Sequence, residues 1–388
     1  MTKHSWTLTD VDEGVYLEEF SLTPADLPGA PEGWWVKKCT LRGGLQNGVD
    51  LVEIYNGRFG ICVLPTRGMG LWRCFSGART LGWKSPVRGP VHPKFVPLAD
   101  PSGLGWLEGF DELLVRCGLV SNGAPEFDAA GQLRYGLHGR IANLPAQRVE
   151  VSFDSETGEL AVTGEVEESR FHFHKLRLSA TYTLKLGEPA VTIHDEVENF
   201  SALPGEMQLL YHINLGEPVH GPGSQLVLAI KQCAPRDADA IGGLQHWNVY
   251  GPAQPGQPEE AYFFELQADA QGRTQALLKG PTGDEGVSLA FSTDQLPCFV
   301  QWKNGAASAD GYVTGLEPAT NFPNPHSFEA QQGRVVPLAP GEKRDFDLRL
   351  NWLTSAAEIA AAEQSIAALQ PGEPKIHTAP QSGWSRSE

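Results

Sequence analysis

Lys175-Leu176-Arg177-Leu178-Ser179-Ala180-Thr181-Tyr182-Thr183-Leu184-Lys185-Leu186 alternates polar and apolar side chains without a break. On a β-strand successive side chains point to opposite faces, so Leu176, Leu178, Ala180, Tyr182, Leu184 and Leu186 make one apolar face and the residues between them make a polar one. A helix would scatter the same residues around its axis. The stretch therefore reads as a strand with one face on a core and the other in water. The same alternation returns near the end, where Phe346, Leu348, Leu350 and Trp352 interleave with Asp345, Asp347, Arg349 and Asn351. Further candidate strands are 51–55, 59–64, 149–153, 191–197, 225–230, 261–266, 287–292 and 297–302. Turn pairs such as Asn56-Gly57, Thr157-Gly158 and Pro340-Gly341 punctuate them.

Helical periodicity is scarce. Ser355–Gln370 is the clear case, with Ser355 and Glu358 spaced as a capping box and Pro371 as the stop. Leu107–Leu114 has room for one short helix more. The 43 glycines and 29 prolines of the 388 residues are spread as punctuation, which suits many short strands. The prediction is an all-β fold, a large antiparallel β-sandwich with one short C-terminal helix. Residues 1–34 form an arm packed on the domain, 35–370 the domain itself, and 371–388 a polar, proline-containing flexible tail.

Composition removes several functions. A net charge of −17 with no basic cluster argues against nucleic acid and against an anionic membrane surface. The six cysteines (Cys39, Cys62, Cys74, Cys117, Cys233, Cys298) stand singly, several in apolar runs, with no zinc-type spacing. Free thiols and a cytoplasmic location follow as expectations, since the N-terminus also lacks an apolar leader run. No phosphate loop, nucleophile elbow or dinucleotide fingerprint is present.

The chemistry concentrates on a second strand, Met207-Gln208-Leu209-Leu210-Tyr211-His212-Ile213-Asn214-Leu215-Gly216. Met207, Leu209, Tyr211, Ile213 and Leu215 share one face; His212 and Asn214 lie on the other, beside Leu210. An imidazole and an amide there suit a pocket floor that binds and protonates a polar ligand. Three other segments join it. In Leu64-Pro65-Thr66-Arg67-Gly68-Met69-Gly70 an arginine sits in a glycine-bounded turn, where it either offers its donor fork to a ligand or pairs with a carboxylate. In Gly136-Leu137-His138-Gly139-Arg140-Ile141-Ala142-Asn143 a glycine after histidine permits close approach. In Val313-Thr314-Gly315-Leu316-Glu317-Pro318-Ala319-Thr320-Asn321-Phe322-Pro323-Asn324 a glutamate ends a strand in apolar company, with Asn321 and Asn324 nearby. His172 and His174, two residues apart, could chelate a metal, although core or edge histidines are the simpler reading.

These segments, in this order, resemble the aldose 1-epimerase (galactose mutarotase-like) superfamily. The strand around His212, similar to the family's His-x-x-Asn-Leu segment, the Glu-Pro segment at Glu317, the His-Gly pair at His138 and the closing Leu338-Ala339-Pro340-Gly341-Glu342 turn carry the likeness over most of residues 50–350. Gly105–Leu119 and Phe299–Asn304 depart from authentic galactose mutarotases and look like a divergent epimerase-like branch of unknown function, the DUF4432 type. The resemblance implies the mutarotase supersandwich, with His212 as general acid and Glu317 as general base. Arg67, His138, Asn214, Trp302 and Asn321 would bind substrate, with Trp302 or Trp106 as a stacking platform.

The implied activity is that of a carbohydrate enzyme that opens and recloses a sugar ring by acid/base catalysis without a cofactor. It would bind a small sugar or sugar derivative and have at most a second copy of itself as macromolecular partner. The family's further acidic residue between acid and base has only Asp237 and Asp239 as candidates. Two readings stand beside this one: an isomerase or β-eliminating lyase on an oxidised sugar, with a divalent metal held by histidine and glutamate, and a non-catalytic sugar-binding protein.

Overall fold

The alternation seen in sequence organises the whole chain. In the computed structural model, which describes residues 3–386, strands make up 43% and helices 13%, so the fold is built on sheets. Two large sheets are formed. The first runs, in spatial order, through Gln225–Leu228, Arg273–Lys279, Gly286–Ser292, Lys343–Leu353, Ala190–Asn199, Lys175–Lys185, Glu159–Ser169, Arg148–Asp154, Lys3–Asp10 and Val15–Tyr16. The second runs through Lys375–Ile376, Ile230–Pro235, Glu260–Leu266, Cys298–Asn304, Val313–Ala319, Gly205–Leu215, Leu114–Leu119, Gly70–Ser76, Gly60–Leu64, Asp50–Tyr55, Trp35–Thr40 and Phe20–Leu22. Neighbouring strands are antiparallel throughout both orders, apart from the terminal Lys375–Ile376 strand, which lies parallel to Gln232–Cys233.

Apolar faces of the two sheets meet in one core. Leu176, Leu178, Ala180, Tyr182 and Leu184 from the first sheet join Met207, Leu209, Tyr211, Ile213 and Leu215 from the second. Each buried side chain of this size contributes roughly 1.5–3 kcal/mol, which makes the interface between the sheets the main source of stability. Polar groups also cross it. Arg116 of the second sheet donates to Asp195 of the first at 2.7 Å, Tyr211 donates to the other oxygen of Asp195 at 2.8 Å, and Arg116 also donates to Tyr182 Oη at 2.8 Å. All four residues are fully or almost fully buried, so the charges are paired and hydrogen-bonded as burial demands.

The helix expected at 355–370 spans Ala356–Ala368, with the Ser355 hydroxyl accepting from the Glu358 amide. It covers the first sheet through Ile359, Ala362 and Ile366. The short helix expected at 107–114 is instead a 3-10 turn, Gly105–Gly109, followed by the Leu114–Leu119 strand. The segment at 1–34 supplies strands to both sheets. The tail expected to be loose from 371 is held as far as 386: the Asn324 amide donates to the Trp384 carbonyl at 2.8 Å, Arg334 donates to the Gly383 carbonyl at 2.8 Å, and Trp384 packs on Phe322 with rings 5.0 Å apart. Its composition reads as polar linker, but one tryptophan finds an apolar seat. Among the described residues no helix is long and apolar enough to cross a membrane.

Candidate active site

The outer face of the second sheet carries the cavity. Where Tyr211 turns into the core, its neighbour His212 turns out. The pairing of Ile213 with Leu316, and of Leu210 with Ala319, sets the register between Gly205–Leu215 and Val313–Ala319. That register puts His212 directly across from Glu317, and cross-strand neighbours on one face are within side-chain reach. His212 Nε2 lies 3.2 Å from Glu317 Oε1, and both side chains are almost fully buried. The contact is close but poorly aligned, so Glu317 Oε1 and the second ring nitrogen, His212 Nδ1, are left without a hydrogen bond. Buried polar atoms without partners are uncommon, and the Glu317 carboxylate that carries one lines the cavity.

Gly315 makes room for the pair. A Cβ at this position would lie 2.5 Å from Glu317 Oε1, 3.1 Å from His212 Cε1 and 3.3 Å from Trp302 Cβ. The cavity above has a volume of about 890 Å³, within the range of small-molecule sites. Its walls are Trp106, Phe110, Trp302 and His138, and the Phe110 and Trp302 rings stand 5.1 and 5.4 Å from the His212 ring.

Electrostatics follow from burial. Removal from water holds His212 well below the ordinary imidazole value, and the nearby His138 adds to this. Burial likewise pushes Glu317 well above the ordinary carboxyl range, opposed by the Arg236 guanidinium. Both shifts favour the uncharged form of each group. His138 is pushed down to about 4, again mainly by burial. Its Nδ1 lies 2.9 Å from the Asn122 carbonyl, and because a carbonyl only accepts, Nδ1 carries the hydrogen and Nε2 is left as an acceptor.

Of the residues expected to bind substrate, His138 and Trp302 line the cavity with His212 and Glu317. Arg67, Asn214 and Asn321 lie outside its lining. Arg67 is buried and its donors are all taken: Nε by Glu112 at 2.8 Å, Nη2 by the Gly109 carbonyl at 2.7 Å, and Nη1 by Asn143. Of the two readings its turn allowed, the structure takes the carboxylate pairing, and Arg67 supports the Gly105–Gly109 turn from below. Asn214 donates to the Glu112 carbonyl at 3.0 Å. Asn321 and Asn122 exchange amide hydrogen bonds of 2.9 and 3.0 Å, which fixes the segment whose carbonyl holds His138. All three support the site rather than face it.

Sequence reasoning did not single out Phe110 or Glu259. Glu259 accepts from Trp302 Nε1 at 2.8 Å and from Arg236 at 2.9 Å, on the cavity rim. Asp237 also lines the cavity, but caps a short helix by accepting from the Ala240 amide and pairs with Arg236. Nothing in the strand pattern marks Glu259, which precedes a strand in a polar loop. Among the described residues no group of three or more His, Cys, Asp or Glu is arranged to hold a metal ion, and His174 pairs only loosely with Glu168 at 3.9 Å.

Known proteins share this fold. The family described as a domain of unknown function, DUF4432, matches residues 46–352. The structure is similar to that of an aldose 1-epimerase candidate from Klebsiella pneumoniae, with 34% identity, a TM-score of 0.94, and 97% of this chain and 99% of that one covered. It also resembles a galactose mutarotase-like protein from Clostridium acetobutylicum (14% identity, TM-score 0.57, 83% and 99% covered). A galactose 1-epimerase from Lactobacillus acidophilus shares the fold at 12% identity and a TM-score of 0.54, with 82% and 99% covered. No curated protein matches the chain.

Proposed function

The chain belongs to the DUF4432 family, a branch of the galactose mutarotase-like proteins, and from that premise we propose that it is a carbohydrate isomerase of the aldose 1-epimerase type. The observation that carries this reading is the His212–Glu317 pair, 3.2 Å apart at the floor of an aromatic-walled cavity. Opening a sugar ring requires a proton to leave O1 and another to reach the ring oxygen. Both oxygens hang on the same carbon, so an acid and a base that touch each other can serve them together.

One proton shared by the pair is what the cycle needs. The member that holds it protonates the ring oxygen, while the other takes the O1 proton. The C1–O5 bond breaks, and the open aldehyde turns about C1–C2. Reclosure on the opposite face of C1 returns both protons. With Glu317 as base and His212 as acid the cycle begins from the imidazolium form; burial favours the carboxyl as the resting place, and the reverse half-reaction uses the same groups with roles exchanged. General acid–base pairs give roughly 10²–10⁴-fold acceleration each. His138 Nε2 would accept from a sugar hydroxyl, and Trp302 or Trp106 would stack on a C–H face.

The test is a sugar-library screen by anomer-exchange NMR, with mass spectrometry of the products. Accelerated exchange without a change of mass is the expected result. A product lighter by one water would point to elimination, and no turnover of any sugar would leave a binding protein.

A further inference from the structure

A second cavity backs onto the first. It has a volume of about 440 Å³ and shares Trp106 and Leu137 with the catalytic cavity, but opens past the Ser121, Arg140, Glu168, Arg170 and His174 side chains. One wall is apolar, built by Leu98, Trp106, Leu133 and Leu137. The other is polar and incompletely satisfied. Ser121 is 1% exposed and its hydroxyl has no hydrogen-bond partner. His174 Nε2 is likewise buried and unpartnered, since Glu168 Oε1 at 3.9 Å is beyond hydrogen-bond reach.

Charge at this wall is positive. Arg140 and Arg170 make no ion pair among the described residues, whereas Arg134 at the rim is paired with Glu126. The one acid present, Glu168, is divided: its Oε2 accepts from the Leu119 amide at 2.6 Å and the Val120 amide at 3.4 Å, while Oε1 faces His174 at 3.9 Å and the Arg140 guanidinium offsets its charge. Burial pushes it up to about 7, so near neutrality its negative charge is only partly present. Two guanidiniums that make no ion pair, a hydroxyl and an imidazole, converging on one cavity, are the donor set of an anion site.

We propose that this cavity binds a small anion, a carboxylate or a phosphate, at a site separate from the catalytic pair. Ser121 Oγ and His174 donate to the anion from inside, and Arg140 and Arg170 neutralise it from the mouth. The apolar wall leaves room for a short organic body behind the charged group.

Calorimetry of the full chain at constant ionic strength tests this, with inorganic phosphate in one arm and acetate in the other. Saturable binding of at least one of them is expected, and the stronger arm identifies the anion's chemistry. Arg140→Gln changes an exposed side chain and should leave unfolding unaltered while weakening binding about tenfold or more. Arg386→Gln, at the wall of the catalytic cavity, should leave anion binding unchanged. His174 ring resonances should move along the titration in the parent protein. Absence of saturable binding in both arms overturns the proposal, as does equal binding by Arg140→Gln or a loss confined to Arg386→Gln. None of these outcomes depends on the sugar chemistry proposed above.

Discussion

The carboxylate of Glu317 occupies space that Gly315 leaves open: a Cβ on Gly315 would lie 2.5 Å from Glu317 Oε1. The two residues are on one face of the same strand, and the missing side chain of the first is what lets the second lean toward His212. Gly315→Ala should therefore fold, because the nearest crowded atom, at 2.5 Å, belongs to a carboxylate that can rotate away. It should lower turnover by about 10²-fold, as displacements near 1 Å do. Unchanged turnover with a normal unfolding transition would remove Gly315 from the argument.

Substitution of the pair itself gives a direct check. Glu317→Gln keeps the shape and removes the exchangeable proton; His212→Asn keeps part of the hydrogen bonding and removes the imidazole. Each should reduce kcat by about 10²-fold or more on whichever sugar the library screen identifies. The double variant should be little worse than either single one, because the residues act as a unit. Additive losses would show that they work independently.

The pH profile follows from the directions of the shifts. The proposed cycle needs one proton on the pair. The second proton would go to His212, held well below 6.5, and the first is lost from Glu317, held well above 4.5. The acid limb of kcat/KM is thus displaced downward and the alkaline limb upward, with a plateau across the usual imidazole titration. An inflection near 6.5 that disappears in His212→Asn would contradict the burial argument.

Asp195 accepts from Arg116 and Tyr211 inside the core, so its removal leaves an unpaired guanidinium between the sheets. Asp195→Ala should cost about 3–5 kcal/mol in denaturant unfolding. A loss below about 1 kcal/mol would mean that water reaches Arg116.

Glu168 makes stability depend on pH in the opposite sense to a salt-bridged acid. Its folded value of about 7 lies above its ordinary 4.5, so its contribution is full below about 4.5 and fades as pH rises through 7. The stability difference between the parent protein and Glu168→Gln should shrink, or change sign, between about pH 5 and 8, by at most about 3 kcal/mol. A difference independent of pH would place the carboxyl in contact with solvent.

What the sequence determined alone is what depends on near neighbours. Alternation over 175–186 and 345–352 defined strands and their buried faces, the 207–216 stretch separated His212 and Asn214 from the core face, and Ser355 with Glu358 marked a helix start that the structure keeps. The order of short motifs also brought out His138, His212 and Glu317, which line one cavity together with Trp302. Other features required the tertiary structure, because they depend on partners far along the chain. Whether Arg67 faces a ligand or a carboxylate is decided by Glu112, Gly109 and Asn143, which no local period connects to it. The docking of the tail depends on a seat for Trp384 beside Phe322. The charge state of His212 and Glu317 depends on how much water the folded walls exclude, and burial of that kind is a property of the assembled sheets rather than of either strand.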